Sequence, residues 1–129
     1  MNKILVEVSV GELLDKISIL EIKSEKIKDP IKLKFIKDEN KILKEQLDLN
    51  VNLNSEIKKL YTSLKEINLK LWIIEDEKRM CEKNSDFGEK FIKVSREVHF
   101  LNDDRAKIKL EINNLTNSKI KEIKEYTNY

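Results

Sequence analysis

Arg79, Arg96 and Arg105 are the only arginines in a chain whose other basic side chains are nearly all lysine. A guanidinium is a planar fork that grips a carboxylate or phosphate through two hydrogen bonds, and it tolerates partial burial better than an ammonium. Each arginine therefore occupies a position where lysine was not used despite its abundance. Arg105 is the sharpest case: Val98, Leu101, Ile108, Ile112 and Leu115 recur at helical spacing, and Arg105 falls in the gap where another apolar residue belongs. With His99, Asn102 and Asp103 on the same helix, the three arginines could line a site for an anionic ligand held between helices. The competing chemistry is internal. Arg105 would meet Glu66, Asn102 would meet Asn68, and Glu75 or Asp76 would be drawn toward Arg96. Such a polar network sets helix register, as buried polar residues do in coiled coils.

Glu12 and Asp15 form an E-x-x-D pair that could contribute to a divalent-metal site. The same two acids lie at the start of a helix, where they complement its dipole, and the spacing recurs at Glu122 and Glu125, so no metal is expected. His99 is the sole histidine, which leaves no second imidazole for multi-histidine chemistry and no ready triad. The lone Cys81 can form neither an internal disulfide nor a metal framework, and reads as a small packing residue. No catalytic residue and no cofactor emerge from this pattern. A non-catalytic role ranks ahead of an enzymatic one.

The elements that must position these groups are helices. Gly (2) and Pro (1) are too scarce for a turn-rich β fold. Alternating apolar residues from Ile4 to Val10 suggest a short extended arm or edge strand. Ser9 and Glu12 then have the spacing of a capping box, opening a helix over about Val10–Lys28 that buries Leu13, Ile17, Leu20 and Ile27. Asp29-Pro30 ends it and starts the next, which carries Leu33, Ile36, Leu43 and Leu47, with Asn40 interrupting the seam. A third helix, about Ser55–Lys83, has the most regular stripe: Ile57, Leu60, Leu64, Ile67, Leu71 and Ile74. After the turn around Asn84–Asp86, where Asp86 and Glu89 repeat the capping spacing, a fourth spans about Phe87–Thr116. The tail from Lys119 to Tyr129 stays open as a last helical turn, an extended arm or a disordered end. One domain over residues 1–129 is expected: all-α, an antiparallel bundle of about four helices with a long hairpin of the third and fourth and a short extended N-terminal arm.

Three blocks, "VSVGELLDKISILEIKSEKIKD", "LWIIEDEKR" and "DFGEKFIKVSREVHFLNDDRAKIKLEIN", resemble a family of small uncharacterised bacterial and phage proteins defined only as a domain of unknown function. The resemblance runs from about Val6 to Tyr126 and is thinnest between Lys37 and Glu66. Its motif falls on Gly11, Glu12, Asp15, Lys16, Glu21, Lys23, Trp72, Glu75, Asp76, Arg79, Phe87, Gly88, Phe91, Asn102, Asp103, Arg105 and Asn113. It implies an association with glycosyltransferases in some members, and no activity.

Composition excludes some classes. With 26 basic and 24 acidic side chains interspersed, the net charge is only +2. That is a poor match to the concentrated positive charge a nucleic-acid binder uses. No apolar run approaches the ~20 residues of a membrane span, and the first residues lack the apolar core of a signal peptide, so a cytoplasmic protein is expected. Long amphipathic helices with a second apolar stripe hide it against a partner. The expected function is an interaction or accessory module that self-associates, a dimer being favoured, with a separate protein partner as a further possibility. The alternative is a small enzyme or anionic-ligand binder using the arginines and acids.

Overall fold

In the computed structural model, which describes residues 2–125, 127 and 128, the chain folds into four helices: α1 (Val10–Lys26), α2 (Pro30–Asn50), α3 (Ser55–Lys83) and α4 (Glu89–Leu115). Met1, Tyr126 and Tyr129 lie outside the described residues. Helix boundaries follow local chemistry. The Ser9 hydroxyl accepts from the Glu12 N–H at 3.0 Å and opens α1. Asp29 accepts from the Ile31 N–H at 2.9 Å, with Pro30 in the first turn of α2, where its missing N–H costs nothing. Asn54 caps α3 through the Ile57 N–H. Between α3 and α4, Ser85 takes the left-handed conformation (φ 51°), and Gly88, rather than a residue inside the helix, occupies the N-cap of α4. Asp86 accepts from the Gly88 N–H instead of capping the helix.

The α3–α4 hairpin forms as the sequence implies and is the most extensive helix pair; α1 packs on α2, α3 and α4. That central position changes its character. Leu13, Leu14, Ile17, Leu20 and Ile22 are all buried, together with Gly11, Asp15 and Ser18, so α1 is covered on several sides rather than along one stripe. The core joins Leu13, Leu14 and Ile17 to Leu47 of α2, Ile57 and Leu64 of α3, and Ile112 of α4. Leu115, expected in the seam of α4, is 45% exposed at the helix end. Lys65 of α3 ties the far end of α1 through Glu21 (3.0 Å) and Glu25 (3.2 Å).

The N-terminal arm, residues 2–9, is outside any helix, and among the described residues there is no strand. Ile4, Leu5 and Val6 of this arm are exposed. Beyond α4 the described part of the tail is non-helical and crosses back toward α1, where the Ser118 hydroxyl accepts from the Val10 N–H at 3.2 Å. Among the described residues no helix is long and apolar enough to cross a membrane.

Candidate functional site

Arg105 does hold an anion, and the anion is Asp15. Its Nε lies 2.9 Å from Oδ1 and its Nη2 2.5 Å from Oδ2, the two-pronged geometry that a guanidinium supplies and an ammonium cannot. Asp15 is 1% exposed, so the pair joins a buried carboxylate on α1 to a half-buried cation on α4. Asn68 of α3 completes the shell: its amide donates to Asp15 Oδ1 at 2.9 Å and to the Ser18 hydroxyl at 2.7 Å. That hydroxyl donates in turn to the Asp15 backbone carbonyl.

One turn further along α4, Lys109 reaches Glu12 at 2.8 Å and stands 3.9 Å from Asp15. It also binds Glu122 of the tail at 2.7 Å. After another turn, the side-chain Oδ1 of Asn113 accepts from the Gly11 N–H at 2.7 Å, one of the donors a helix start leaves unpaired. Residues 105, 109 and 113 thus address 15, 12 and 11, a three-rung ladder between oppositely running helices. Gly11 is required for this approach: a Cβ there would stand 2.5 Å from the Lys109 carbonyl oxygen. The Asn113 Nδ2 is buried with no hydrogen-bond partner among the described residues.

Electrostatics follow the contacts. The hydrogen bonds that Arg105 donates to Asp15 hold its pKa above the ordinary value despite burial. Burial pulls Lys109 down, but the carboxylates of Glu12 and Glu122 outweigh it and the net shift is upward. Bound by Lys109 and Lys124, Glu122 is held down at about 2. The ladder is a set of satisfied charges that clamps α1, α4 and the tail together.

The pairings expected from the hairpin are replaced. Glu66 is exposed on α3, while Arg105 turns to α1; Asn68 turns to Asp15 and Ser18, while the Asn102 amide donates to the Val98 carbonyl at 3.0 Å. Glu12 caps no backbone with its carboxylate, which goes to Lys109 instead. Nor are the three arginines gathered. Arg79 borders a hollow of about 350 Å³ with Trp72, Glu75 and Asp76. Arg96 lies in another of about 410 Å³, its guanidinium 6.0 Å above the Phe100 ring. Of the three, Arg105 alone borders a cleft of about 690 Å³, beside His99, Asn102, Asp103, Lys109 and Glu122. His99 is exposed, its ring 4.3 Å from that of Phe100. Each of the acids Glu12 and Asp15 has a cationic partner, and among the described residues no group of three or more His, Cys, Asp or Glu is placed to hold a metal. Cys81 is buried, in keeping with a packing role.

By residue type alone, Lys109 and Ser18 do not stand out from the many lysines and serines of the chain. For Lys109 the signal is spacing: Arg105, Lys109 and Asn113 recur every fourth residue, one face of α4.

A family model matches residues 4–129, taking in all four helices and every rung of the ladder. The chain belongs to a family of unknown function, DUF6165. No curated protein and no solved structure matches it. Family membership therefore brings no activity to the ladder.

A second feature of this DUF6165 chain lies on α2. Ile31, Phe35, Ile42 and Leu49 are 71%, 72%, 58% and 79% exposed. At 3.6 residues per turn their spacings of four, seven and seven confine them to a sector about 40° wide. Leu33, Ile36, Leu43 and Leu47 occupy the opposite side and are buried or half-buried. α2 contacts α1 alone among the helices, so among the described residues its outer apolar stripe has no cover.

Proposed function

We propose that this protein is a non-catalytic helical interaction module that self-associates as a dimer, using the outer stripe of α2 as its contact face. One observation carries this: four large apolar side chains, three of them more than 70% exposed, line one narrow face of a helix whose other face is already packed. Apolar surface concentrated in this way is what protein contacts bury. The ladder supports the non-catalytic half of the proposal, since its carboxylates and cations are matched to one another rather than left to act on a substrate. Such a module would fit the glycosyltransferase association and the bacterial or phage source that the sequence resemblance implies, and a cytoplasmic setting belongs to the same proposal. Sedimentation equilibrium over a concentration series tests it. The expected mass is twice the 15.3 kDa of one chain; a single-chain mass throughout would overturn it.

The cleft beside Arg105 favours a second proposal, an anionic ligand held by Arg105, Lys109 and Asn102. It ranks second because the cations there have carboxylate partners: Arg105 has Asp15, and Lys109 has Glu12 and Glu122. A thermal-shift series with succinate and inorganic phosphate distinguishes the two, since only the second proposal expects the melt to rise with either anion.

A further inference from the structure

The charges along α2 run against its own dipole. Residues 30–37 hold Lys32, Lys34 and Lys37 and no acid; residues 38–50 hold Asp38, Glu39, Glu45 and Asp48 against Lys41 and Lys44. The first turn of the helix contains no acid and the last no base, whereas a helix is stabilised by acids at its start and bases at its end. Asp29 caps the start, but the lysines behind it stay exposed. Lys44 is engaged by Glu21 at 3.6 Å, which leaves the second half still more acidic toward solvent.

A partner that is basic where α2 is acidic, and acidic where it is basic, is α2 itself reversed. We infer that the occupant of the outer stripe is a second copy of this chain, its α2 packed antiparallel on the first about a twofold axis near residue 40. This rests on the self-association proposed above and adds to it the orientation and the register.

The stripe's spacing fits the arrangement. Moving outward along α2, the seven-residue steps from Phe35 to Ile42 and from Ile42 to Leu49 leave polar gaps at Asp38 and Glu45. With residue i opposite residue 80 − i, Ile42 of the second copy falls at the level of Asp38 and its Phe35 at the level of Glu45, while Ile31 meets Leu49. Apolar residues of one copy fill the gaps of the other. A perpendicular twofold also brings like flanks together, so Lys34 lies beside Glu45 of the other copy and Lys41 beside its Asp38, each pair occurring twice. A parallel pair, which sets unlike flanks together, forms neither pairing; on its other flank the antiparallel register does bring Glu39 beside Glu39 of the second copy, one like-charge contact against four opposite ones. Exposed ion pairs add little to affinity but do select orientation; the apolar stripe supplies the attraction.

Disulfide trapping tests the inference. With native Cys81 buried, thiols introduced by Ile31→Cys or Leu49→Cys are the accessible ones, and the two positions lie about 27 Å apart along the helix. The antiparallel register predicts that a mixture of the two variants under mild oxidant yields a 31–49 cross-link, identified by peptide mass spectrometry, at least about tenfold above the product of either variant alone. Self-cross-linking of each variant alone, or a dimer by sedimentation that traps at neither position, overturns the orientation and leaves self-association standing. A monomer by sedimentation overturns both. Charge rescue reads the register independently: Lys34→Glu weakens the dimer several-fold, and adding Glu45→Lys to the same chain restores it, whereas a failure of rescue contradicts the 34–45 pairing.

Discussion

Asp15 and Arg105, ninety residues apart, close into a two-pronged ion pair in which the carboxylate is 2% and the guanidinium 28% exposed on the side chain. Removing the cation leaves a buried carboxylate with Asn68 as its remaining side-chain donor and Lys109 at 3.9 Å. Arg105→Met should therefore cost about 3 kcal/mol, the scale for breaking such a pair from one side. Replacing both partners, Asp15→Leu with Arg105→Met, should recover about 2 kcal/mol relative to the sum of the single changes. Urea denaturation at one fixed protein concentration measures this cycle, since a self-associating chain has a concentration-dependent stability. Additive single losses would show that the pair does not act as a unit.

Gly11→Ala should destabilise although alanine is the better helix former by about 1 kcal/mol. The new methyl would sit 2.5 Å from a backbone oxygen of α4 and 2.9 Å from Asn113 Oδ1, so α1 and α4 must part and the Gly11–Asn113 hydrogen bond is lost. A net loss of about 1–3 kcal/mol is expected from overpacking of this kind. A melt equal to or above that of the unsubstituted chain would mean that the helices tolerate separation at this rung.

Glu122 ties the tail to Lys109, and its pKa falls from the usual 4.5 to about 2. A depressed carboxylate stabilises the fold fully above its unfolded value. Its contribution declines as pH drops below about 4.5 and is gone below about 2. Thermal melts of the unsubstituted chain and of Glu122→Gln should thus differ at neutral pH and converge through that window. A constant gap between the two across the acid range would contradict the linkage.

The sequence carried the helices because their causes are local: apolar residues every third or fourth position, Ser9 and Asp29 as caps, and Pro30 at a helix start. It carried less of the ladder, because burial of a polar group is not local. Asp15 near a helix start is equally well explained by the dipole, and only the covering of α1 by three helices distinguishes a 1%-exposed acid from a solvated one. Arg105 was recognisable as the holder of an anion, but pairing it by hairpin register considered only α3 and so pointed to Glu66. Asn113 stood among the motif positions without a role, which came from Gly11 across the helix pair. On α2 the seam read from spacing, Leu33, Ile36, Leu43 and Leu47, is the one turned inward, but spacing gave no account of the second apolar face, Ile31, Phe35, Ile42 and Leu49, which stays outside.

The outer face of α2 can be altered without touching the core. Phe35→Glu combined with Ile42→Glu replaces two exposed side chains in the middle of the stripe, far from the ladder, so helicity and the urea response of the isolated chain should hold. Sedimentation equilibrium of this variant beside the unsubstituted protein is the most direct measurement. A dimer is expected for the unsubstituted chain and a folded monomer for the variant, with association weakened at least about a hundredfold. A variant that remains dimeric with the same dissociation constant would contradict the assignment of α2 as the contact face.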